Sequence, residues 1–260
     1  MKKIIYVIPF ILVAFFGCTF FETIIGSGNL VETQLIYTNF DGLDIDAPFE
    51  VTLIQDNEYS VTIMTDDNVI DHVMTSMEGS TLSIDLASYY GFTGVSLKAV
   101  ITMPTLRVID LSSASTLTVI GSSSLTAVSA LRISLSDASH LLLPSVVADN
   151  LTLDLDGASK ATVGAYTSLA NVSVTQASTL LLDGSGYSVD VVVDGASDAD
   201  LSEFAANSAS VTAGGASEAW ININGTIGIN LTGASTLYYT GTATWVSLNF
   251  TEGSSIILLN

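Results

Sequence analysis

The sequence has little positive charge, one cysteine and few histidines. Its 260 residues contain 6 Lys and Arg against 26 Asp and Glu, a formal net charge of −20. Such a surface repels nucleic acid and anionic lipid headgroups, so neither is expected as a partner. Because Cys18 is the only cysteine, no intramolecular disulfide can form. One cysteine and two histidines also exclude a zinc cluster of the usual spacing.

Motifs of the common enzyme classes are missing too. The chain has no Gly-x-Ser-x-Gly elbow with a supporting histidine and no phosphate-binding glycine loop. The two histidines, His72 and His140, lie in separate parts of the chain, and His140 falls at an outward, solvated position. We therefore predict a protein that is not an enzyme, with no catalytic residues, metal or cofactor.

What the sequence has instead is an Ala-Ser dipeptide that returns about every 20 residues. A fixed period of this length marks a stacked repeat architecture. The copies are spaced by 24, 20, 19, 19, 20 and 18 residues, with Ser254-Ser255 as a degenerate eighth copy 20 residues further on. The seven clear copies are Ala114-Ser115, Ala138-Ser139, Ala158-Ser159, Ala177-Ser178, Ala196-Ser197, Ala216-Ser217 and Ala234-Ser235.

Apolar residues alternate with polar ones on both sides of the dipeptide. This period of two predicts a short strand before it and another after it, with the dipeptide at a tight corner. The columns before the corner begin Ile109, Ile133, Leu153 and Leu111, Leu135, Leu155. Those after it begin Leu117, Leu141, Ala161 and Val119, Leu143, Val163, and they end at Ile257 and Leu259.

No helical periodicity accompanies the repeat, and about 20 residues are too few for a strand and a full helix. The pattern predicts an all-β fold, a single-stranded β-solenoid (parallel β-helix) with coils of about 20 residues. Eight coils at the ordinary strand spacing would form a rod roughly 40 Å long. The apolar columns are expected to form its core and to carry no chemistry.

Residues 1–18 are predicted to be a targeting segment. Lys2 and Lys3 precede an apolar stretch that is too short for a comfortable membrane span and ends at Cys18. This resembles a bacterial lipoprotein signal, in which a small residue, here Gly17, precedes the lipidated cysteine. Phe15 departs from that pattern, because leucine is usual three residues before the cysteine. The alternatives are a cleaved secretory signal and an uncleaved anchor. All three interpretations predict export. The lipoprotein signal in addition predicts that a lipid on Cys18 holds the protein at the cell envelope.

The rest of the chain divides into three predicted parts. Residues 19–34 form a tether or leading strand, residues 35–104 form a β-rich N-terminal capping region, and residues 105–260 form the solenoid, continuous with the cap. Within the cap we expect a hairpin turning at residues 78–80 and an aromatic loop at residues 89–92. Asp66, Asp67 and Asn68 are expected to cap a short helix over residues 69–73.

Several cap segments, followed by the run of corners, carry a family resemblance. They are Gly26-Ser27-Gly28-Asn29, Phe40-Asp41-Gly42-Leu43-Asp44-Ile45, Phe49-Glu50-Val51 and Gly79-Ser80-Thr81-Leu82-Ser83-Ile84. Across residues 26–245 the chain resembles the head GIN domain family of autotransporter adhesins. The resemblance implies an exported or surface-anchored β-solenoid, often a lipoprotein, and it brings no catalytic residue.

Residues at equivalent positions of successive coils should line up on the outside of the solenoid. This places Asp198, Asp200 and Glu218 on one outer face, where carboxylates could catalyse glycoside hydrolysis, bind calcium or simply form a hydrated surface. Trp220 and Tyr238 share a column in adjacent coils, so their rings should lie ~5 Å apart. The pair could contact a glycan or be covered by a strand or partner, or the strand parity could be inverted, with the rings inside.

We interpret the chain as a non-enzymatic adhesion module at the cell surface, lipid-anchored and binding a glycan or a surface protein. Trp220, Tyr238, Asp198, Asp200 and Glu218 are its candidate ligand-binding residues. The alternatives are a polysaccharide-active enzyme on a β-helix and a purely structural envelope protein. The sequence leaves the oligomeric state open.

Overall fold

The computed structural model describes residues 22–121, 125–251 and 253–259. It is 71% strand and 1% helix and forms a β-solenoid of about seven turns, which confirms the predicted fold class. Cys18 and the segment before it lie outside the described residues.

The N-terminal part of the fold consists of short strands and a single 3-10 turn, Ile70–His72, among the residues described. Its strands are β1 (Glu22–Ile25), β2 (Leu30–Leu35), β3 (Gly42–Asp46), β4 (Glu50–Gln55), β5 (Ser60–Asp66), β6 (Val73–Glu78), β7 (Thr81–Leu86), β8 (Tyr90–Thr93) and β9 (Leu97–Met103).

The repeats supply longer strands, because the chain stays extended between one corner and the next. They are β10 (Val108–Ser112), β11 (Thr116–Ile120), β12 (Leu125–Leu135), β13 (His140–Leu155), β14 (Lys160–Val174), β15 (Thr179–Val193), β16 (Asp198–Ala213), β17 (Glu218–Leu231), β18 (Thr236–Phe250) and β19 (Ser255–Leu258). The pairs from β12 through β19 are all parallel.

Two walls of the stack meet at the corners. Sheet 1 contains the segments that follow the corners, in the order β2-β5-β9-β4-β11 and then the starts of β13 to β18, ending with β19. Sheet 2 contains the segments that precede them, in the order β6-β7-β3-β10-β12 and then the ends of β13 to β18. The strands β3 and β4 therefore stack in register on the repeats, and the antiparallel strands β2, β5 and β6 lie beyond them at this end.

The corners have a common backbone geometry. The alanines of five corners, from Ala114 to Ala196, have φ between 61° and 66°, and the residue before each also has positive φ. At four of these corners the following serine N–H donates to the carbonyl three residues earlier, as Ser115 does to Ser112 at 3.1 Å. Positive φ at both central residues is the pattern of a type I′ turn, which confirms the predicted tight corner.

The corner serines point inward. All seven, Ser115, Ser139, Ser159, Ser178, Ser197, Ser217 and Ser235, are at most 1% exposed. Some are well satisfied: the Ser217 hydroxyl donates to the Gly214 carbonyl at 2.7 Å and the Ser235 hydroxyl to the Thr232 carbonyl at 2.9 Å. The Ser159 hydroxyl makes no hydrogen bond to the described residues. The serines thus form a buried polar line beside the apolar core.

The predicted inward columns form that core. Between Ile109 and Leu237 their members are at most 6% exposed. The side of each coil between the two sheets, which shows no clear sequence pattern, adds further buried residues such as Val146, Phe204 and Ile223. One hydrophobic cluster runs from the cap through the repeats.

The last coil contradicts the predicted register. Tyr238 pairs with Ile257 and Leu237 with Ile256, so Ser254 rather than Ser255 is equivalent to Ser235. Ile257 therefore lies outside, and Ile256 packs toward the core in its place. The cause is the turn: Gly253 supplies the positive φ of 96°, which puts the serine position at the next residue.

Two local expectations in the cap were also wrong, and one was confirmed. Residues 90–93 form strand β8, parallel to β1, rather than an aromatic loop. The 3-10 turn begins after Val69 with no side-chain cap, so Asp66, Asp67 and Asn68 do not cap it. The hairpin at residues 78–80 is present, since β6 and β7 pair antiparallel from Glu78↔Thr81.

Asp66 and Asp67 instead form hydrogen bonds to the loop at residues 26–29. The buried Asp66 carboxylate accepts backbone N–H bonds from Gly28 at 2.6 Å and Ser96 at 2.9 Å, and these hold its pKa below the usual value. Asp67 accepts bonds from the serine and asparagine side chains of the loop at 2.6 and 2.7 Å, which lower its pKa as well. Two carboxylates thus hold residues 26–29, one of the segments that carry the family resemblance, against the rest of the cap.

Candidate ligand-binding face

The two sheets present different outer surfaces. We call one outward column of sheet 1 the stripe; in spatial order it contains Thr62, Val100, Thr52, Thr118, Leu142, Thr162, Leu181, Asp200, Trp220, Tyr238 and Ile257. Its Val, Ile and two Leu side chains are exposed. The matching column of sheet 2 contains Ser83, Asp44, Asp110, Ser134, Asp154, Ser173, Val192, Thr212, Asn230 and Asn249. The stripe thus has four exposed apolar side chains, whereas the matching column of sheet 2 has one, Val192. Exposed apolar residues that recur along one face make sheet 1 the candidate contact surface.

The stripe is most aromatic near its C-terminal end. Trp220 and Tyr238 are register partners with ring centroids 5.0 Å apart and planes inclined by 7°, which confirms the predicted proximity. Because the rings stack on each other, their edges and their two outer faces are the parts left for a ligand. Those outer faces are bordered by Asp200 on one side and Ile257 on the other.

The predicted carboxylates lie beside this pair. Asp198 is the register partner of Glu218, and Asp200 is that of Trp220. One Asp200 oxygen accepts the backbone N–H of Ser202 at 2.9 Å. Neighbouring strands are ~4.8 Å apart, so the register brings Asp198 and Glu218 side by side. The result is a negatively charged margin along the aromatic part of the stripe.

Among the described residues, no lysine or arginine lies on a strand directly beside Asp198 or Glu218. Lys98 pairs with Glu50 at 3.0 Å and Arg107 with Asp41 at 3.1 Å. Lys160 is two strands away from Asp198 in the register of sheet 1. Within the described ranges, no three His, Cys, Asp or Glu residues are arranged to hold a metal ion.

Sheet 2 carries its own acidic group near the cap. Burial raises the pKa of Asp44, and the nearby carboxylates of Asp110 and Asp46 add to this effect. Burial likewise raises the pKa of Asp85. Asp46 accepts a hydroxyl bond from Ser113 at 2.8 Å. Asp44 and Asp85 resist ionisation because they are partly desolvated and lie near other carboxylates.

The sequence did not reveal that the stripe continues into the cap. At that end the outer face of sheet 1 forms a shallow groove of about 270 Å³ lined by Glu32, Thr62, Met64, Lys98 and Val100. These residues come from strands outside the Ala-Ser period, and two of the three strands run antiparallel to their neighbours. The alternation within each strand was the only signal, and it does not specify which strands become adjacent.

Fold and surface together define a β-solenoid whose candidate binding residues lie on an open wall rather than in a cleft. The family described as "Putative auto-transporter adhesin, head GIN domain" matches residues 39–243, and the chain belongs to this family. No curated protein matches the chain. Among the described residues, no helix has the length and apolar character needed to cross a membrane.

Solved structures share this fold at low sequence identity. A putative adhesin from Parabacteroides merdae has 15% identity and a TM-score of 0.84, over 92% of this chain and 100% of that one. A putative lipid binding protein from Parabacteroides distasonis has 16% identity and a TM-score of 0.85 over the same shares. A putative adhesin from Bacteroides fragilis has 17% identity and a TM-score of 0.67, over 91% and 100%. At this identity the likeness concerns the fold.

Proposed function

We propose that the protein is a non-enzymatic adhesion module that binds an extracellular glycan or surface protein through the outer face of sheet 1. The observation that carries the proposal is the stripe, which combines four exposed apolar side chains with the half-buried Trp220–Tyr238 pair. Membership of an adhesin family supports the same function. An open wall of twelve strands, roughly 50 Å long, suits an extended ligand better than a small substrate.

Within this face we assign the first contacts to Trp220 and Tyr238, with Asp198, Asp200 and Glu218 as polar neighbours. Aromatic edges provide apolar contact, and carboxylates accept hydrogen bonds from hydroxyl groups. A neutral, hydroxyl-rich ligand meets both requirements, whereas an acidic polymer would be repelled by a chain of net charge −20.

The test is retention of the chain from Thr19 onward on immobilised glycans and cell-wall polymers. Trp220→Ala should weaken binding about tenfold, ~1.4 kcal/mol, as expected for loss of an aromatic anchor. Tyr166→Ala is the matched control, since Tyr166 is exposed but lies outside sheet 1. Equal retention of Trp220→Ala and the parent protein would contradict this location of the site.

We further propose that Cys18 carries a lipid that holds the protein at the cell envelope. The support is the sequence alone: Gly17-Cys18 follows a short apolar stretch, and the chain has no other cysteine. Cys18→Ser should release the protein from the membrane fraction and abolish incorporation of labelled palmitate. Labelling that persists in Cys18→Ser would refute lipidation at this residue.

A further inference from the structure

The C-terminal end of the solenoid exposes residues that every earlier coil buries. Trp245, Leu248 and Phe250 are register partners of Ile227, Ile229 and Leu231 in the coil below. The lower three are at most 2% exposed, whereas the upper three are 39%, 53% and 58% exposed. Core side chains of the last coil therefore form an apolar end surface, which we call the C-terminal end face.

The backbone beside this face is open as well. Strand β18 pairs with β17 along most of its length, but with β19 only over residues 236–239. From residue 240 to residue 250, no described strand pairs with its outer edge. This edge contains no proline and no charged residue, two of the devices that prevent strands from adding to an exposed edge. It has one irregularity, an extra residue at Val246 that divides it into residues 240–245 and residues 247–250. It can therefore accept another strand.

The distribution of charge indicates what the other strand is. Of the 26 Asp and Glu residues, 25 lie at or before Glu218, and all six Lys and Arg lie before it as well. In the residues that follow, Glu252 is the only charged one. Two copies of so acidic a chain repel each other at any other surface, but they can meet at this end without bringing carboxylates together.

We propose that two copies of this chain associate through the C-terminal end face, with β18 of one pairing antiparallel to β18 of the other about a twofold axis. Such an interface is self-complementary: the same edge and the same three apolar residues serve both copies. A lipid surface fits less well, because the open N–H and C=O groups of the edge would have no partners in hydrocarbon.

The test is the molar mass in solution of the chain from Thr19 onward, measured by light scattering and sedimentation across a concentration series. We expect twice the monomer mass, with dissociation on dilution. Higher salt should strengthen association, because it screens the repulsion between the acidic bodies. A monomer at every concentration, or growth beyond two copies, would overturn the proposal.

Variants locate the interface. Leu248→Lys combined with Phe250→Lys should give a monomer with an unchanged circular dichroism spectrum, since both side chains are exposed within one copy. Leu142→Lys is the matched control, because Leu142 is 43% exposed on sheet 1 and lies far from the end in strand order. It should remain dimeric. A dimer that survives the double substitution, or one that Leu142→Lys dissociates, would refute this interface.

Discussion

The stability of the stack should depend on a close fit between Phe204 and Gly186 in neighbouring coils. Phe204 is fully buried, and a Cβ built on Gly186 would lie 2.7 Å from its Cζ and 3.1 Å from its Cε1. Gly186 needs no positive φ, so an alanine there meets mainly the ring and, less closely, the backbone oxygen of Thr167 at 3.3 Å. We expect Gly186→Ala to destabilise the protein by about 1–3 kcal/mol through overpacking.

Shortening the phenylalanine should remove that clash. Phe204→Leu alone loses ring contacts and should cost roughly 1–2 kcal/mol. In the double variant the alanine methyl occupies space that the ring has left, and it also removes the entropic cost of a glycine within a strand. The two costs should therefore be non-additive, with a coupling of about 1–2 kcal/mol in favour of the double variant.

Urea unfolding followed by circular dichroism measures this coupling, provided that the four proteins unfold with the same dependence on urea. Gly225→Ala is the control. Its Cβ would meet the backbone oxygen of Asn207 at 2.1 Å, which no change at Phe204 can relieve, so its cost should be the same in both backgrounds. Additive costs for Gly186→Ala and Phe204→Leu would refute the proposed fit.

Further predictions concern the corners and the cap, each measured by unfolding. Ser217→Ala should cost about 1 kcal/mol, because its hydroxyl is hydrogen-bonded, whereas Ser159→Ala should be neutral or stabilising; equal losses would contradict this. Gly157→Ala should cost more than Gly79→Ala: both have positive φ, but only the first Cβ would meet backbone, at 2.6 Å. Since the pKa of Asp66 is lowered on folding, its stabilisation is complete above about pH 4 and is lost as the pH falls through the folded-state pKa. Asp66→Asn should therefore flatten the acid limb of the stability profile, and an unchanged limb would contradict this.

The repeat was predictable because one local geometry recurs. Each corner places small residues in a turn with positive φ and follows them with an inward serine, so the same dipeptide appears at each turn. The apolar columns follow from alternation counted from that corner. The same counting placed Trp220 beside Tyr238. In coils that stack in parallel and in register, residues at the same distance from the corner become neighbours.

The cap and the last coil were less predictable for a physical reason. The turn at Ala47-Pro48-Phe49 stacks below the first repeat, because β3 and β4 pair with β10 and β11. Yet the register offset between β3 and β10 is 66 residues, as in Gly42↔Val108, so the period does not reach this turn. In the last coil two serines, Ser254 and Ser255, both fit the pattern of the corner. The positive φ of Gly253 shows that Ser254 is the corner residue. Exposure of the end face depends on a missing neighbour, which no pattern within a coil can show.

The first described strand, β1, lies in the cap, and the proposed interface lies at the opposite end of the stack. Three residues separate Cys18 from β1, and such a segment can reach about 14 Å when extended. A lipid on Cys18 would therefore hold the cap close to the membrane, while the C-terminal end face lies some 50 Å away at the far end of sheet 1. Two copies joined at their end faces would carry their anchors at the two ends of an assembly roughly 100 Å long. If both proposals hold, the two anchors lie at the ends of the assembly and the stripe of each copy remains free for a ligand.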